Sequence, residues 1–589
     1  MTGQPRVLLG LAAVAVAFAA ADTYVVVLAL PEMMNAVGVP IDQLQRAAPI
    51  ISGFLLGYVA MLPLIGRIAD LRGRVPVLVA ALVLFAFGSL VTALAYDMPS
   101  MVAGRFLQGV GGGGLVPATL ALVADLYPVE RRGVPLGIVS AVQEIGSVLG
   151  PLFGAVVLAV ADWRAIFLVN LAVGLVLAAA IRVLAPVVEV RERSAARASR
   201  PRKGRADLAG ALLLLLSLVA GALVFVQPPP LLRDLTWGQL FIPLVGEGRW
   251  LTPVGVIAIA AALLLVVRCT TAARPLLDLP GWSRTLREAD LVGALFLAAA
   301  LAGVILAFAT ADPKIQVFSD RGVWYLLGSA IATAAFALHL RRADAPLVPR
   351  GTLRRTPAWG SLVVSFFVGA ALIAALIDIP LFARTTIHAE SQLMAALGLV
   401  RFLVALPVGA VLGGYLTRTL PAGVVTAAGM ACAAVAFLMM SRWGVTSLEE
   451  LSSNVPLLLG GFGFGLALAP VNAAVLATTD DDVHGLASAM VVVARMVGML
   501  VGISALTTLG LRRYYAEQSD LPNVRDVCDG KSRCAEFTDL LRVAGIAQEQ
   551  VVFQGAAICA VVGGVLALWL FRSADTRGVE AGRLLRSGG

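Results

Sequence analysis

Sixteen runs of mainly apolar residues divide the chain, at roughly 7–30, 47–65, 76–95, 101–124, 136–160, 165–184, 208–227, 251–267, 289–310, 323–340, 358–380, 393–416, 421–440, 454–478, 486–511 and 551–571. A helix needs ~20 such residues to cross ~30 Å of hydrocarbon. The period-two alternation of a barrel strand is absent. Backbone groups in lipid must find partners within their own segment, so each run is predicted to be a helix. The expected fold is all-α and polytopic, with about 16 transmembrane helices, or 14 if the middle of the chain supplies only two.

The runs form two blocks of six around an insert. Residues 1–186 make the first predicted bundle and 358–571 the second, with the insert at 187–357 and a tail at 572–589. After a basic connector, the insert reads as a duplicated hairpin. Ala206-Asp207-Leu208-Ala209-Gly210-Ala211-Leu212 returns as Ala289-Asp290-Leu291-Val292-Gly293-Ala294-Leu295. The blocks echo each other too: Gly146-x3-Gly150 matches Gly498-x3-Gly502, and Leu62-Pro63 matches Leu406-Pro407. Two six-helix repeats with a site between them suit a carrier that rocks one half against the other.

Composition agrees with this class: 59% of residues are hydrophobic and 14% charged, which excludes a soluble domain. With the N-terminus inside, cytoplasmic segments carry 27 of the 45 Lys and Arg, external segments 14 and the helices four. Six of the external 14 belong to one long loop, 512–550, and long loops weigh little in orientation. The +9 net charge is therefore read as the positive-inside bias of a cytoplasmic-membrane protein with both termini inside. Nucleic acid is not an expected partner. The first run carries Asp22 and lacks a small-residue cleavage pattern, so it is read as a span and not as a cleavable signal. Cys528 and Cys534 flank Asp529-Gly530 in the external loop, where they form either a disulfide or two free thiols.

Apart from Asp290 and His339 at the very ends of their runs, seven ionisable residues fall inside the runs: Asp22, Arg105, Glu144, Arg182, Asp378, Arg401 and Arg495. Arg182 and Asp378 lie near run ends and are read as snorkelling. The others are functional candidates, because a charge at mid-membrane depth costs several kcal/mol unless paired, protonated or hydrated. Glu144 precedes Gly146, Gly150, Pro151 and Gly154, a helix suited to close packing and bending. Asp22 and Glu144 are the candidates for proton coupling, with Arg105, Arg401 and Arg495 as charge partners. Static struts are the competing role for the same residues. Gly66, Asp70, Gly73 and Arg74 lie in a short inner loop that can lock a gate through contacts with helix ends. The run Gly111-Gly112-Gly113-Gly114 implies close packing or a local bend. His339, His388 and His484 lack metal-ligand spacing, and no Walker loop is present. Neither metal, cofactor nor ATP is expected, and no nucleophile–base set supports an enzyme.

Four motifs occur in order at helix boundaries: Asp22 nine residues before Pro31, Gly66-Arg67-Ile68-Ala69-Asp70-Leu71-Arg72-Gly73-Arg74, Arg105-Phe106-Leu107-Gln108-Gly109, and Gly146-x3-Gly150-Pro151-x2-Gly154. Together they resemble the major facilitator superfamily, specifically its drug:proton antiporters with extra helices between the halves. The stretches at 22–27, 143–151 and 484–496 resemble an actinobacterial branch, the triacylglyceride and drug exporters that work with a periplasmic lipid-binding lipoprotein.

The resemblance implies that helix five of the first half packs on helix two of the second. That would bring Glu144 to Arg401, while Arg105 approaches Asp22. Leu71 stands where the family's loop carries Arg, and Tyr24 and Val27 stand where its first helix carries Thr and Asn. The two departures in the first helix, Tyr24 and Val27, favour a greasier cargo. The implied activity is export of a hydrophobic molecule driven by the proton gradient, first of all a triacylglyceride-like lipid. Multidrug:proton antiport is the alternative, and a non-transporting receptor or scaffold for envelope lipids is the alternative from another class. A periplasmic lipoprotein is the implied partner, and a monomer the implied state.

Overall fold

A computed structural model describes residues 4–39, 44–128, 131–193, 207–246, 248–272, 275–309, 321–387, 392–528, 534–574 and 576. The first half contains α1 (Gln4–Ala36), α2 (Leu44–Arg72), α3 (Arg74–Ala93), α4 (Met98–Leu126), α5 (Gly133–Leu158) and α6 (Trp163–Arg193). The insert contains α7 (Leu208–Val226), the short α8 (Pro229–Arg233), α9 (Pro253–Thr271), α10 (Leu279–Glu288), α11 (Leu291–Ala309) and α12 (Gly322–Arg342). The second half contains α13 (Thr356–Thr385), α14 (Gln392–Leu416), α15 (Ala422–Met440), α16 (Asn454–Thr478), α17 (His484–Ser519), the short α18 (Val524–Val527) and α19 (Ala535–Leu570). Among the described residues there are no strands. Among the described residues fifteen helices are long and apolar enough to cross a membrane, and α5, counted as one bent span, makes sixteen.

Glycine sets the packing of the first half. α4 runs through its middle, and its four successive glycines face different neighbours. A Cβ on Gly111 would strike α3 at Phe85, and one on Gly113 would lie 2.5 Å from the Tyr58 carbonyl on α2. Gly112 faces Ala19 on α1, and Gly114 faces Ile65 on α2 and Ala81 on α3. α2 and α3 therefore approach α4 at backbone distance and α1 packs on it through Ala19, which is how apolar helices gain contact energy in lipid. Gly146 and Gly150 of α5 lie on the α1 backbone at Ala17 and Ala21. Their counterparts Gly498 and Gly502 of α17 lie on α13 at Phe366 and Ala370. The repeat read in the sequence is thus a repeat of contacts, α5 on α1 and α17 on α13.

The insert's duplication is equally physical. Asp207 caps α7 by accepting from the Gly210 N–H at 3.0 Å, and Asp290 caps α11 by accepting from Gly293 at 2.9 Å. Each acid also clasps the far end of its own hairpin. Asp207 meets Arg268 at 3.2 Å, and Asp290 meets His339 at 2.7 Å. The two hairpins are placed differently. α11 leans on both α2 and α17, and so touches both halves. α7 pairs mainly with α9.

One expectation is corrected here. Residues 512–550 are not simply a loop, because α17 continues to Ser519 and α19 begins at Ala535. Each has 36 residues, about 54 Å of helix where ~30 Å spans the hydrocarbon. Hydropathy falls at residue 511, but helix-forming residues such as Leu, Arg, Ala, Glu and Gln continue the helix into water. Cys528 and Cys534 are disulfide-bonded at the tip, with Cα atoms 5.5 Å apart.

Candidate functional site between the halves

The ends of the helices that the Lys and Arg bias assigns to the cytoplasm, the inner ends, join the halves along two seams. In the first, Gly66 of α2 lies against Gly485 of α17, where a Cβ on either would lie 2.5 Å from the other's carbonyl. In the second, Gly133 of α5 meets Gly414 of α14, and Gly137 meets Ala410. By the repeat, α2 corresponds to α14 and α5 to α17, so the seams are equivalent. Each is sealed by a glycine pair.

The stretch expected to be an inner loop is instead the last turns of α2, the single residue Gly73 and the start of α3, and it locks the first seam. Asp70 accepts from the backbone N–H groups of Gly485 at 2.8 Å and Leu486 at 2.9 Å, so it caps the N-terminus of a helix in the other half. A carboxylate is favoured there by the free N–H groups and the helix dipole. Arg74 pairs with Asp70 at 3.0 Å and with Asp125 at 3.3 Å, and donates to the Asp481 carbonyl at 3.1 Å. Arg67 donates to the Asp482 carbonyl at 3.2 Å. Gly73 turns the chain between α2 and α3 with φ of 94°, a conformation few other residues adopt.

Deeper in the same interface, Glu144 pairs with Arg495 at 3.5 Å, and each side chain is only 6% exposed. Glu144 lies eleven residues into α5 and Arg495 eleven residues into α17. That is ~16 Å of helix, about half the hydrocarbon thickness. Beside the pair, Ser140, Gln143, Ser365, Asn472 and Arg495 line a cavity of about 10 Å³, the size that holds one water. Arg495 Nε and Asn472 Oδ1 have no protein partner. Asn472 Nδ2 reaches Ser140 Oγ across the interface at 3.4 Å.

Arg401 is not the partner expected for Glu144. The face of α14 that meets α5 is marked by Ala410 and Gly414, and Arg401 lies nine residues from Ala410. Nine residues are two and a half turns, which puts Arg401 on the opposite face. It is exposed there.

Asp22 is held inside the first half. It forms an ion pair with Arg105, accepts from Asn170 Nδ2 on α6, and lies 3.5 Å from Gln108 Nε2. Gln108 Oε1 accepts from Arg105 at 3.0 Å and from Thr92 at 3.2 Å, while Gln108 Nε2 donates to Ser89 at 2.8 Å. The Arg105 guanidinium lies over the Phe54 ring at 4.3 Å. This network fastens α1 to α3, α4 and α6. Asn170, Ser89 and Thr92 escaped sequence reading because lone small polar residues are common in apolar helices. Gln108 had a signal, three residues after Arg105 and hence on the same face.

Arg182 is exposed in the second half of α6, whereas Asp378, also read as snorkelling, is buried. It is 4% exposed and faces Glu549, which the loop reading of 512–550 placed outside the membrane. Gly154 of α5 is buried. The side chains of Pro151, Tyr24 and Val27, and all of His388, lie outside the described residues.

Two six-helix halves related by a contact repeat, sealed at one end and joined at mid-depth by a charge pair, define a membrane carrier of the alternating-access class. Residues 12–342 match the Major Facilitator Superfamily profile. The chain belongs to that superfamily. It is 33% identical over 513 residues to the triacylglyceride transporter of Mycolicibacterium hassiacum, covering 85% of this chain and 78% of that one. The triacylglyceride transporter of Mycolicibacterium smegmatis is 30% identical over 583 residues, covering 96% and 87%. That of Mycobacterium tuberculosis H37Rv is 33% identical over 528 residues, covering 87% and 84%.

Proposed function

We propose that this chain is a proton-coupled exporter that moves a hydrophobic lipid, triacylglyceride-like, out of the cytoplasmic membrane by alternating access. One observation carries the reading: the buried Glu144–Arg495 pair joins the halves at mid-depth. Protonating Glu144 removes the attraction that holds α5 to α17, and an unpaired guanidinium is costly there. A proton arriving from outside would thus reset the interface, while the glycine seams and the Asp70 cap set the inner closure. Asp22 is a second proton candidate, whose neutralisation would loosen α1 from α4. Relatives 30–33% identical over most of the chain are named triacylglyceride transporters, which favours lipid as the cargo. The outward α17–α19 hairpin is the proposed docking point for a periplasmic lipid-binding lipoprotein, with both termini cytoplasmic.

The test reconstitutes the full chain in liposomes and follows labelled triacylglyceride and ethidium in parallel, with and without an imposed pH gradient. Gradient-dependent movement of the lipid supports the proposal. Gradient-dependent movement of ethidium alone supports multidrug antiport, and no gradient-dependent movement of either supports a scaffold.

A further inference from the structure

Asp378 of α13 and Glu549 of α19 are buried against each other in the second half, 4% and 1% exposed. Their carboxyl groups face each other within hydrogen-bonding reach. Two carboxylates offer only acceptors, so that contact becomes a hydrogen bond only when one of them carries a proton. Without that proton, Glu549 Oε2 has no partner, while Oε1 accepts from Gln548 Nε2 at 3.2 Å. The group missing from this geometry is a proton.

The surroundings offer no substitute. α15 and α16 carry no charged residue. The end of α15 and the segment after it contribute Phe437 and Trp443, packed with Phe382 and Phe553 one turn from each acid. α17 contributes Tyr514, and α19 contributes Arg542 and Gln548. Among the described residues no Arg, Lys or His forms an ion pair with either acid. On the outer side, a cavity of about 380 Å³ opens between α13 and the extended α17 and α19. Leu381, Thr385, Tyr514, Arg542 and Gly545 line it, and Glu549 forms part of its wall.

We propose that Asp378 and Glu549 form a proton-binding site in the second half, loaded from the outer side through this cavity. One proton is shared between the two carboxyl oxygens, and its departure leaves two facing acceptors that push α13 from α19. The site goes beyond the Glu144–Arg495 pair and stands whether or not that pair couples transport.

Infrared difference spectroscopy on the full chain in liposomes tests it. At pH 7 the wild type should show a protonated-carboxyl C=O band that Asp378→Asn/Glu549→Gln abolishes and Asp22→Asn/Glu144→Gln retains. The Asn–Gln pair can hydrogen-bond to itself, and an unchanged melting temperature verifies the fold. Persistence of the band in Asp378→Asn/Glu549→Gln, or its absence from the wild type, overturns the shared proton. For the route, a Cβ on Gly545 would meet only the Thr385 methyl group, at 3.9 Å, so Gly545→Trp fills the cavity without a backbone clash. It should slow the band's response to external alkali at least tenfold. An unchanged rate overturns external loading.

Discussion

Glu144 and Arg495 lie the same number of residues into equivalent helices of the two halves, and they meet at 3.5 Å across the interface. The inter-half hydrogen bonds described above all lie at this level or nearer the inner ends. Among the described residues the pair is therefore the polar link between the halves that lies farthest from the end closed by the glycine seams.

The pair should behave as a coupled unit. Arg495→Leu strands a buried carboxylate and is expected to lower stability by about 3–5 kcal/mol. Adding Glu144→Gln should recover at least half of that loss, because no charge then remains unpaired. Unfolding the two variants in detergent measures the difference. Strictly additive losses would mean the two side chains do not interact.

The glycine seams should hold the inner side shut. Gly485→Val places a Cβ 2.5 Å from the Gly66 carbonyl and 2.8 Å from Asp70 Oδ1, and the Gly66 backbone cannot turn aside as a side chain could. We expect at least tenfold faster thiol labelling of Ser140→Cys from the inner side in this variant than with Gly485 intact. Equal labelling would show that the seam does not control access.

The insert is coupled to the inner loop through α10. Arg72 pairs with Asp278 at 3.2 Å, donates to Thr285 at 3.0 Å, and lies 4.6 Å over the Trp282 ring. The backbone N–H of Gly281, followed by Arg72, holds the Asp278 carboxyl below its ordinary value of 3.8. A depressed acid stabilises the folded contact above its ordinary pKa and loses that contribution as pH falls through the lowered one. Trp282 fluorescence is therefore expected to stay constant from about pH 8 to pH 5 and to change only in stronger acid. Arg72→Ala should give the altered signal at every pH. A transition near neutrality would contradict this assignment.

The outward hairpin should serve delivery and not folding. Deleting 520–546 removes the tip, its disulfide, α18 and the start of α19, and leaves α17 whole. Transfer of labelled lipid to a soluble lipoprotein acceptor is expected to fall at least fivefold, with the melting temperature of the membrane core little changed. Wild-type transfer would show that the hairpin is dispensable.

Hydropathy made the sixteen helices legible because lipid forces each apolar run to satisfy its own backbone. The same signal failed at residue 511, where the membrane ends but α17 does not, and Glu549 was hidden by that error. Asp22–Arg105 was legible because both sit in recognisable motifs of one half. Glu144–Arg495 was not, because helix packing gave the correct neighbour α14 but not the face on which Arg401 stands. Gly414 and Asn472 carried no signal of their own, since a seam is a property of two surfaces and not of one sequence.

The central claim is that Glu144 couples proton movement to lipid export. The most direct measurement is the initial rate of pH-gradient-driven triacylglyceride transfer from proteoliposomes, comparing wild type with a Glu144→Gln variant of matched melting temperature. Glu144→Gln is expected to lose at least tenfold of the gradient-driven rate while keeping its lipid binding. A gradient-driven rate equal to that of the wild type would contradict it.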